Sequence, residues 1–317
     1  MKSFAVSGIL PRISFSDAGL ALPAAEALLA GDVNAMEIDM AQAGPDAIRA
    51  VREGRPEMCV GAGGVSSAED CAAALEAGAQ FVTLPRFDVR IAGLCLREGV
   101  DVIPTCADDT EIAGAAALGA ETVMVGFPDT GTGLRTLREC FEKYENLRFI
   151  PLDVSGEAQI GSYIASPAVA CVSTGRIAPP ETLRAGGWET ITENCRTARR
   201  AVLGFEFAHV GINRPDEPAA RKLAGLFAEI FGFPTEERVS NSIYAGDAIE
   251  VMKLMQHGTH GHLAIRSNSV ERAAAELERK GLHLRPGTAK YALGRMRVVY
   301  LQEEFGGFAV HLIQREV

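Results

Sequence analysis

Short apolar runs alternate with longer stretches of helical spacing along the first 204 residues of the chain. The runs GILPRISF (8–15), NAMEIDM (34–40), EMCVGAG (57–63), QFVTLPR (80–86), VDVIPTC (100–106), ETVMVGF (121–127), LRFIPLDV (147–154) and VACVSTG (169–175) read as strands. Between them, LPAAEALLAG, AEDCAAALEAGA and TEIAGAAALGA carry small and apolar residues at helical spacing, and each closes on a glycine near a C-cap position. Eight such repeats in about 200 residues predict a compact (β/α)8 TIM barrel. A doubly wound open sheet is the alternative, but the regularity of eight units favours closure.

The pattern changes after residue 204. FAHVGIN (207–213) reads as a strand, and EPAARKLAGLFAEIFG as an amphipathic helix closed by Gly232, before the strands TEERVS, NSIYAGD and AIEVMKL. The series then repeats as GHLAIRS, SVERAAAELERKG, LHLRPGTAK, RMRVVYLQEE and FAVHLIQ. Two βαβββ units of about 50 residues form an internal repeat, and they predict an α+β domain of paired units. Composition marks the same boundary: all six histidines (209, 257, 260, 262, 283 and 311) fall after residue 204, while Lys2 and Lys143 are the only lysines before it. The expected domains are therefore 1–204 and 205–317.

Apolar residues make up 47% of the chain and charged residues 23%, as in a packed globular protein. A net charge of −10 argues against nucleic acid or an anionic membrane surface as partner, but a locally basic pocket still admits an anionic substrate. No apolar run approaches the roughly 18 residues of a membrane span. The opening MKSFAVSGILPRISFSDAG is broken by Pro11, Arg12 and Asp17, unlike a signal peptide. Seven cysteines without a CxxC pair suit reduced thiols, so a cytoplasmic location is expected.

In a closed barrel, active sites form at the C-terminal ends of the strands. Those ends carry Glu37 and Asp39, GAGG (61–64), Pro85-Arg86, Pro104-Thr105, Phe127-Pro128, Asp153 and Ser173-Thr174-Gly175-Arg176. Glu37 and Asp39, two apart on one strand, face the same side. If that side is the interior, the carboxylates need a cation, a proton or a hydrogen-bonding substrate. A structural pairing with Arg86 or Arg176 is the other possibility.

ALLAGDVNAMEIDM, DAIRAVREGRPEMCVGAGGV, ALEAGAQFVTLPR, VIPTCADDTE and GAETVMVGFP resemble the 2-keto-3-deoxy-6-phosphogluconate / 4-hydroxy-2-oxoglutarate aldolase family. The resemblance covers essentially all of residues 1–204. It implies a lyase of 2-oxo-acid or sugar-acid metabolism, a small anionic 2-oxo-acid substrate and a homo-oligomer, commonly a trimer. The family's Schiff-base lysine stands on strand six, three residues before the proline. Val125 occupies that place here, with Met124 beside it. Glu37 matches the family glutamate of strand two, while the arginine four residues on has become Ala41, PTGG after strand seven has become PLDV, and GGS of strand eight has become STG. Glu37 and Asp39 are thus the candidate catalytic residues. Gly61, Gly63, Arg86, Thr105, Ser173, Thr174, Gly175 and Arg176 are candidate substrate contacts, with the glycines admitting a ligand close to the backbone and Arg86 or Arg176 as anion clamp.

Residues 205–317 resemble the vicinal-oxygen-chelate superfamily, which includes glyoxalase I, methylmalonyl-CoA epimerase and the extradiol dioxygenases. That resemblance implies a cup whose metal is held by the first and last strands of each unit, here His209, Glu250, His262 and His311. Three imidazoles and a carboxylate suit Zn, Ni, Co, Mn or Fe(II). His311 stands where glutamate is common, which points to lyase, isomerase or epimerase work through a stabilised enediolate rather than to oxygen chemistry. His257 and His260 in QHGTHGH read as a solvated loop, and His283 as the start of a strand with no assigned partner. The alternative to an enzyme is a degenerate barrel with a ligand-binding cup, acting as sensor or sequestering protein.

Overall fold

A computed structural model describes residues 2–41 and 43–316. The chain divides into two compact units between Val202 and Leu203. In the first, the strands are β1 (Ile9–Ile13), β2 (Ala35–Asp39), β3 (Cys59–Gly63), β4 (Phe81–Leu84), β5 (Asp101–Cys106), β6 (Thr122–Val125), β7 (Arg148–Pro151) and β8 (Val172–Thr174). The helices are α1 (Ala21–Ala30), α2 (Gly44–Gly54), α3 (Ala68–Glu76), α4 (Val89–Arg97), α5 (Asp109–Leu118), α6 (Thr130–Lys143), α7 (Glu157–Ala165), α8 (Pro180–Arg184) and α9 (Trp188–Leu203). All strand pairs are parallel, in the order β7-β6-β5-β4-β3-β2-β1-β8, and a single bridge between Phe149 and Val169 brings the two ends of the sheet together. The result is a nearly closed TIM-like barrel.

Alternation along the strands builds its two apolar layers. Leu10, Ala35, Cys59, Phe81, Ile103, Met124, Ile150 and Cys171 share the inner cluster. Phe4, from a 3-10 turn at Ser3–Ala5, joins them with its ring 5.1 Å from that of Phe81. Their neighbours, such as Met36, Ile38, Val60, Val82, Val123 and Val125, pack outward against the helices. Aspartate or serine caps start several helices: Ser67 and Asp70 form a capping box on α3, and Asp88, Asp108 and Asp129 accept backbone N–H groups of α4, α5 and α6. Each cap contributes about 1 kcal/mol. Gly119 ends α5 in the left-handed conformation, at φ 98°.

The second unit contains β9 (Glu206–Ile212), α10 (Glu217–Phe231), β10 (Thr235–Glu236), β11 (Ser242–Ala245), β12 (Ile249–Met252), β13 (Gly261–Ser267), α11 (Val270–Arg279), β14 (Lys290–Ala292), β15 (Arg295–Phe305) and β16 (Phe308–Gln314). One mixed sheet runs β10-β11-β12-β9-β13-β16-β15-β14. Each repeat pairs its first strand in parallel with its last, β9 with β12 and β13 with β16, and β9 meets β13 antiparallel at the centre. Ala220 and Ala224 of α10 pack on Ile243 and Val251, while Val270, Ala273 and Ala274 of α11 pack on Val299 and Leu312.

Two strand expectations need correction. TEERVS supplies only the two residues of β10, at the exposed edge of the sheet. LHLRPGTAK is mostly irregular, with a lone bridge from Leu284 to Leu301 before β14 begins at Lys290. Pro286 lacks the N–H a ladder needs, and Gly287 turns at φ 76°. No helix among the described residues is long and apolar enough to cross a membrane.

Candidate functional site

The strand ends of the barrel surround a cavity of about 500 Å³. The register places Arg12 of β1 beside Glu37 of β2, and Glu37 and Asp39 beside Gly61 and Gly63 of β3. Glu37 is only 7% exposed. Its Oε1 accepts a hydrogen bond from Thr83 Oγ1 at 3.0 Å, and its buried Oε2 has no partner among the described residues. Burial pushes this carboxyl up to about 7, against the opposing pulls of the Arg12 charge and the Thr83 hydrogen bond, with Asp39 adding to the rise. A Cβ on Gly63 would lie 2.5 Å from Glu37 Oε1, so a glycine there makes room for the carboxylate. Gly61 serves another purpose. A Cβ there would lie 2.1 Å from the Phe81 ring, so it accommodates the inner core and not a ligand.

Asp39 lies at the exposed rim, its Oδ1 accepting the Ala41 N–H at 2.8 Å. Thr105 and Gly175 line the cavity with it. Ser173 is fully buried, with Oγ unpartnered, and Thr174 Oγ1 accepts the Arg176 N–H at 3.2 Å; neither lines the cavity. Arg86 and Arg176 are exposed and also stand outside the lining. The guanidinium that does line it is Arg12, which the sequence reading passed over, and its Nη1 lies 3.3 Å from Asp153 Oδ1.

At the sixth strand, Met124 faces the cavity, whereas Val125 is buried in the layer beneath the helices. Neither side chain carries an amine. The two lysines of the barrel are engaged elsewhere: Lys2 with Asp101 at 2.8 Å and Glu121 at 2.9 Å, and Lys143 with Asp109 on the outer helices.

In the second unit, the four adjacent strands β12, β9, β13 and β16 present Glu250, His209, His262 and His311. The Nε2 atoms of His209 and His262 are 3.2 Å apart, and Glu250 Oε2 lies 3.2 Å from the first and 3.0 Å from the second. The donor atoms of the three histidines all fall within 4.8 Å of one another. Donors bound at about 2.0–2.2 Å to one ion sit about 3.0–3.5 Å apart, a spacing that His209, His262 and Glu250 have, whereas His311 is placed only within 4.8 Å of the other two imidazoles. His262 turns Nε2 to His209 and Glu250, while its Nδ1 and both ring nitrogens of His311 are buried without a hydrogen-bond partner among the described residues.

Burial pushes His311 down to about 3, with the His262 and His209 charges adding to the fall, which keeps its imidazole neutral. Burial opposes ionisation of Glu250, yet hydrogen bonds from His209, His262 and Ser242 hold its carboxyl far below the usual range. Tyr300 stacks on His311 at 4.6 Å between centroids, and Tyr244 meets His209 edge-on at 5.8 Å. A Cβ on Gly211 would lie 2.1 Å from His262 Cε1, so that imidazole needs the glycine across the ladder.

The other histidines stand apart from this set. His257 Nδ1 lies 3.0 Å from Arg285 Nη1, with its ring against Tyr300, and the His260 ring sits near Phe308. His283, expected to open a strand without a partner, precedes the lone bridge and lies 2.7 Å from Glu303 Oε1.

The family model described as "KDPG and KHG aldolase" matches residues 2–194. Among curated proteins, 2-dehydro-3-deoxy-phosphogluconate aldolase of Treponema pallidum is 29% identical over 185 residues, 58% of this chain and 88% of the relative. The KHG/KDPG aldolase of Escherichia coli K12 is 28% identical over 197 residues, 62% and 91% of the two chains. Similar solved structures include a 2-keto-3-deoxy-6-phosphogluconate aldolase from Zymomonas mobilis, 25% identical with a TM-score of 0.56 over 62% of this chain and 94% of that one. The Legionella pneumophila KDPG aldolase, solved with pyruvate captured as a covalent carbinolamine intermediate, is 25% identical with a TM-score of 0.57 over 62% and 96%.

Proposed function

The chain belongs to the KDPG and KHG aldolase family, and we propose that it is a lyase-type enzyme of 2-oxo-acid or sugar-acid metabolism whose barrel works without a Schiff-base lysine. The observation that carries this reading is Glu37, a buried carboxyl lining the cavity with one oxygen held by Thr83 and the other without a protein partner. A carboxyl that titrates near 7 takes a proton from the carbon beside a substrate carbonyl as carboxylate and returns it as acid. Thr83 fixes its orientation and Gly63 leaves its space, while Asp39, Thr105 and Gly175 border the ligand. With Met124 and Val125 at the sixth strand, proton transfer and not imine formation is the chemistry these side chains support.

For the second unit, the proposal is a vicinal-oxygen-chelate cup in which His209, Glu250, His262 and His311 would hold Zn, Ni, Co, Mn or Fe(II). Bound there, such an ion supplies Lewis-acid polarisation to a ligand with two neighbouring oxygens. The chain's own residues prepare the site: Ser242 Oγ donates to Glu250 Oε1 at 2.7 Å, and the Tyr300 ring covers one face of His311.

The test is the transition-metal content of untagged protein by mass spectrometry, with His209→Ala and Glu37→Ala alongside and a panel of 2-oxo acids assayed for turnover. About one metal per chain, lost in His209→Ala, with turnover lost in both variants, supports the reading. A second metal lost in Glu37→Ala would place an ion on Glu37 and Asp39 as well. Metal-free protein without turnover would overturn it and leave a ligand-binding protein.

A further inference from the structure

We infer that Arg12 captures the substrate carboxylate in the barrel mouth, that Asp153 holds its guanidinium until a ligand displaces it, and that the substrate class is an unphosphorylated 2-oxo acid; this rests on the reading of the barrel as a 2-oxo-acid site. Among the described residues Arg12 is the one basic side chain of the cavity lining, and its register partner is Glu37. A carboxylate on Arg12 therefore brings its neighbouring carbonyl towards the proton-transferring group.

A guanidinium carries five donors and binds a carboxylate best through two of them. The pair with Asp153 is a single contact of 3.3 Å, and the Asp153 side chain is 81% exposed. Exposed pairs of this kind hold weakly and exchange for a better-placed carboxylate. Asp153 stands at φ 55°, in the left-handed region where a side chain is strained. That turn directs the carboxylate to Arg12, in the manner of an internal ligand.

Charge decides the substrate class. Among the described residues three carboxylates, Glu37, Asp39 and Asp153, share the lining with Arg12, and no lysine or histidine joins them. One carboxylate satisfies the guanidinium, whereas a phosphate dianion adds two charges to a wall already rich in acids. A ligand on Arg12 also offsets the positive charge that holds the Glu37 proton affinity down, which makes Glu37 the stronger base when substrate is present.

The experiment is a titration of the full-length protein with pyruvate and, separately, with 3-phosphoglycerate by ligand-observed NMR, with folding checked by circular dichroism. The proteins are the wild type, Arg12→Met, Arg12→Lys and Asp153→Asn, each in EDTA so that the second unit holds no metal. Arg12→Met is expected to weaken pyruvate at least about tenfold, Arg12→Lys to recover part of the loss, and Asp153→Asn to tighten binding by about two- to fivefold. 3-Phosphoglycerate should bind more weakly than pyruvate. Unchanged pyruvate affinity in Arg12→Met overturns the assignment of Arg12. Weaker pyruvate binding in Asp153→Asn overturns the displacement. Tighter binding of 3-phosphoglycerate overturns the substrate class. Binding is read without turnover, so a failed activity screen leaves these outcomes standing.

Discussion

Replacing Glu37 by Gln gives a stability difference that depends on pH in a defined window. An isolated glutamate titrates at 4.5, and burial raises Glu37 to about 7 in the folded chain. The folded state therefore binds more protons than the unfolded state between those values, and its stability falls as pH rises from about 4.5 through 7. The gap corresponds to about 3 kcal/mol, an order-of-magnitude figure for a side chain almost fully buried. Glutamine keeps an acceptor for Thr83 but carries no ionisable group, so it escapes this cost. It also places an amide N–H2 where Oε2 lacks a partner, a penalty that does not change with pH. The quantity to read is hence the pH dependence of the difference and not its absolute value. Urea unfolding followed by tryptophan fluorescence isolates the barrel, because Trp188, the single tryptophan of the chain, packs against its core. Glu37→Gln should gain on the wild type by about 3 kcal/mol between pH 4 and pH 8, with most of the gain between pH 5 and 7. A difference that stays flat across this range would refute the buried, proton-holding carboxyl, and with it the general acid–base role.

Two further outcomes test the sites separately. Gly211→Ala replaces no donor residue, yet its Cβ would enter the His262 ring, 2.4 Å from Nε2, so metal content should fall at least about tenfold while the barrel still unfolds like the wild type; full retention of metal would remove His262 from the donor set. Borohydride reduction in the presence of pyruvate should leave the protein mass unchanged, and a pyruvyl adduct by mass spectrometry would show an amine in the mouth that Met124 and Val125 do not provide.

Much of the architecture is legible in the pattern of apolar positions. Buried parallel strands read as continuous apolar runs, and all eight of the barrel fall inside the stretches chosen for them. Edges read poorly, because TEERVS and LHLRPGTAK pack too little surface for alternation to report on pairing. The site was legible as far as strand ends locate it, which is how Glu37, Asp39, Thr105 and Gly175 come to border one cavity. What the pattern lacked was direction. Arg86 and Arg176 follow their strands closely but point to solvent, whereas Arg12, beside a proline on β1, enters the cavity through its register with Glu37. The same lack hid which of Met124 and Val125 faces the mouth, and that Gly61 accommodates Phe81. His283 found Glu303 through a hairpin whose register no spacing rule gives.

The order of strands in the second unit gives its polar cluster two unlike halves. His209 and Glu250 come from one repeat and His262 and His311 from the other, met across the antiparallel β9–β13 seam. The last strand of one repeat ends its pair with a carboxylate kept ionised by its hydrogen bonds and the other with a neutral imidazole. The cluster thus has a charged side and an uncharged one, which would orient whatever polar ligand enters it.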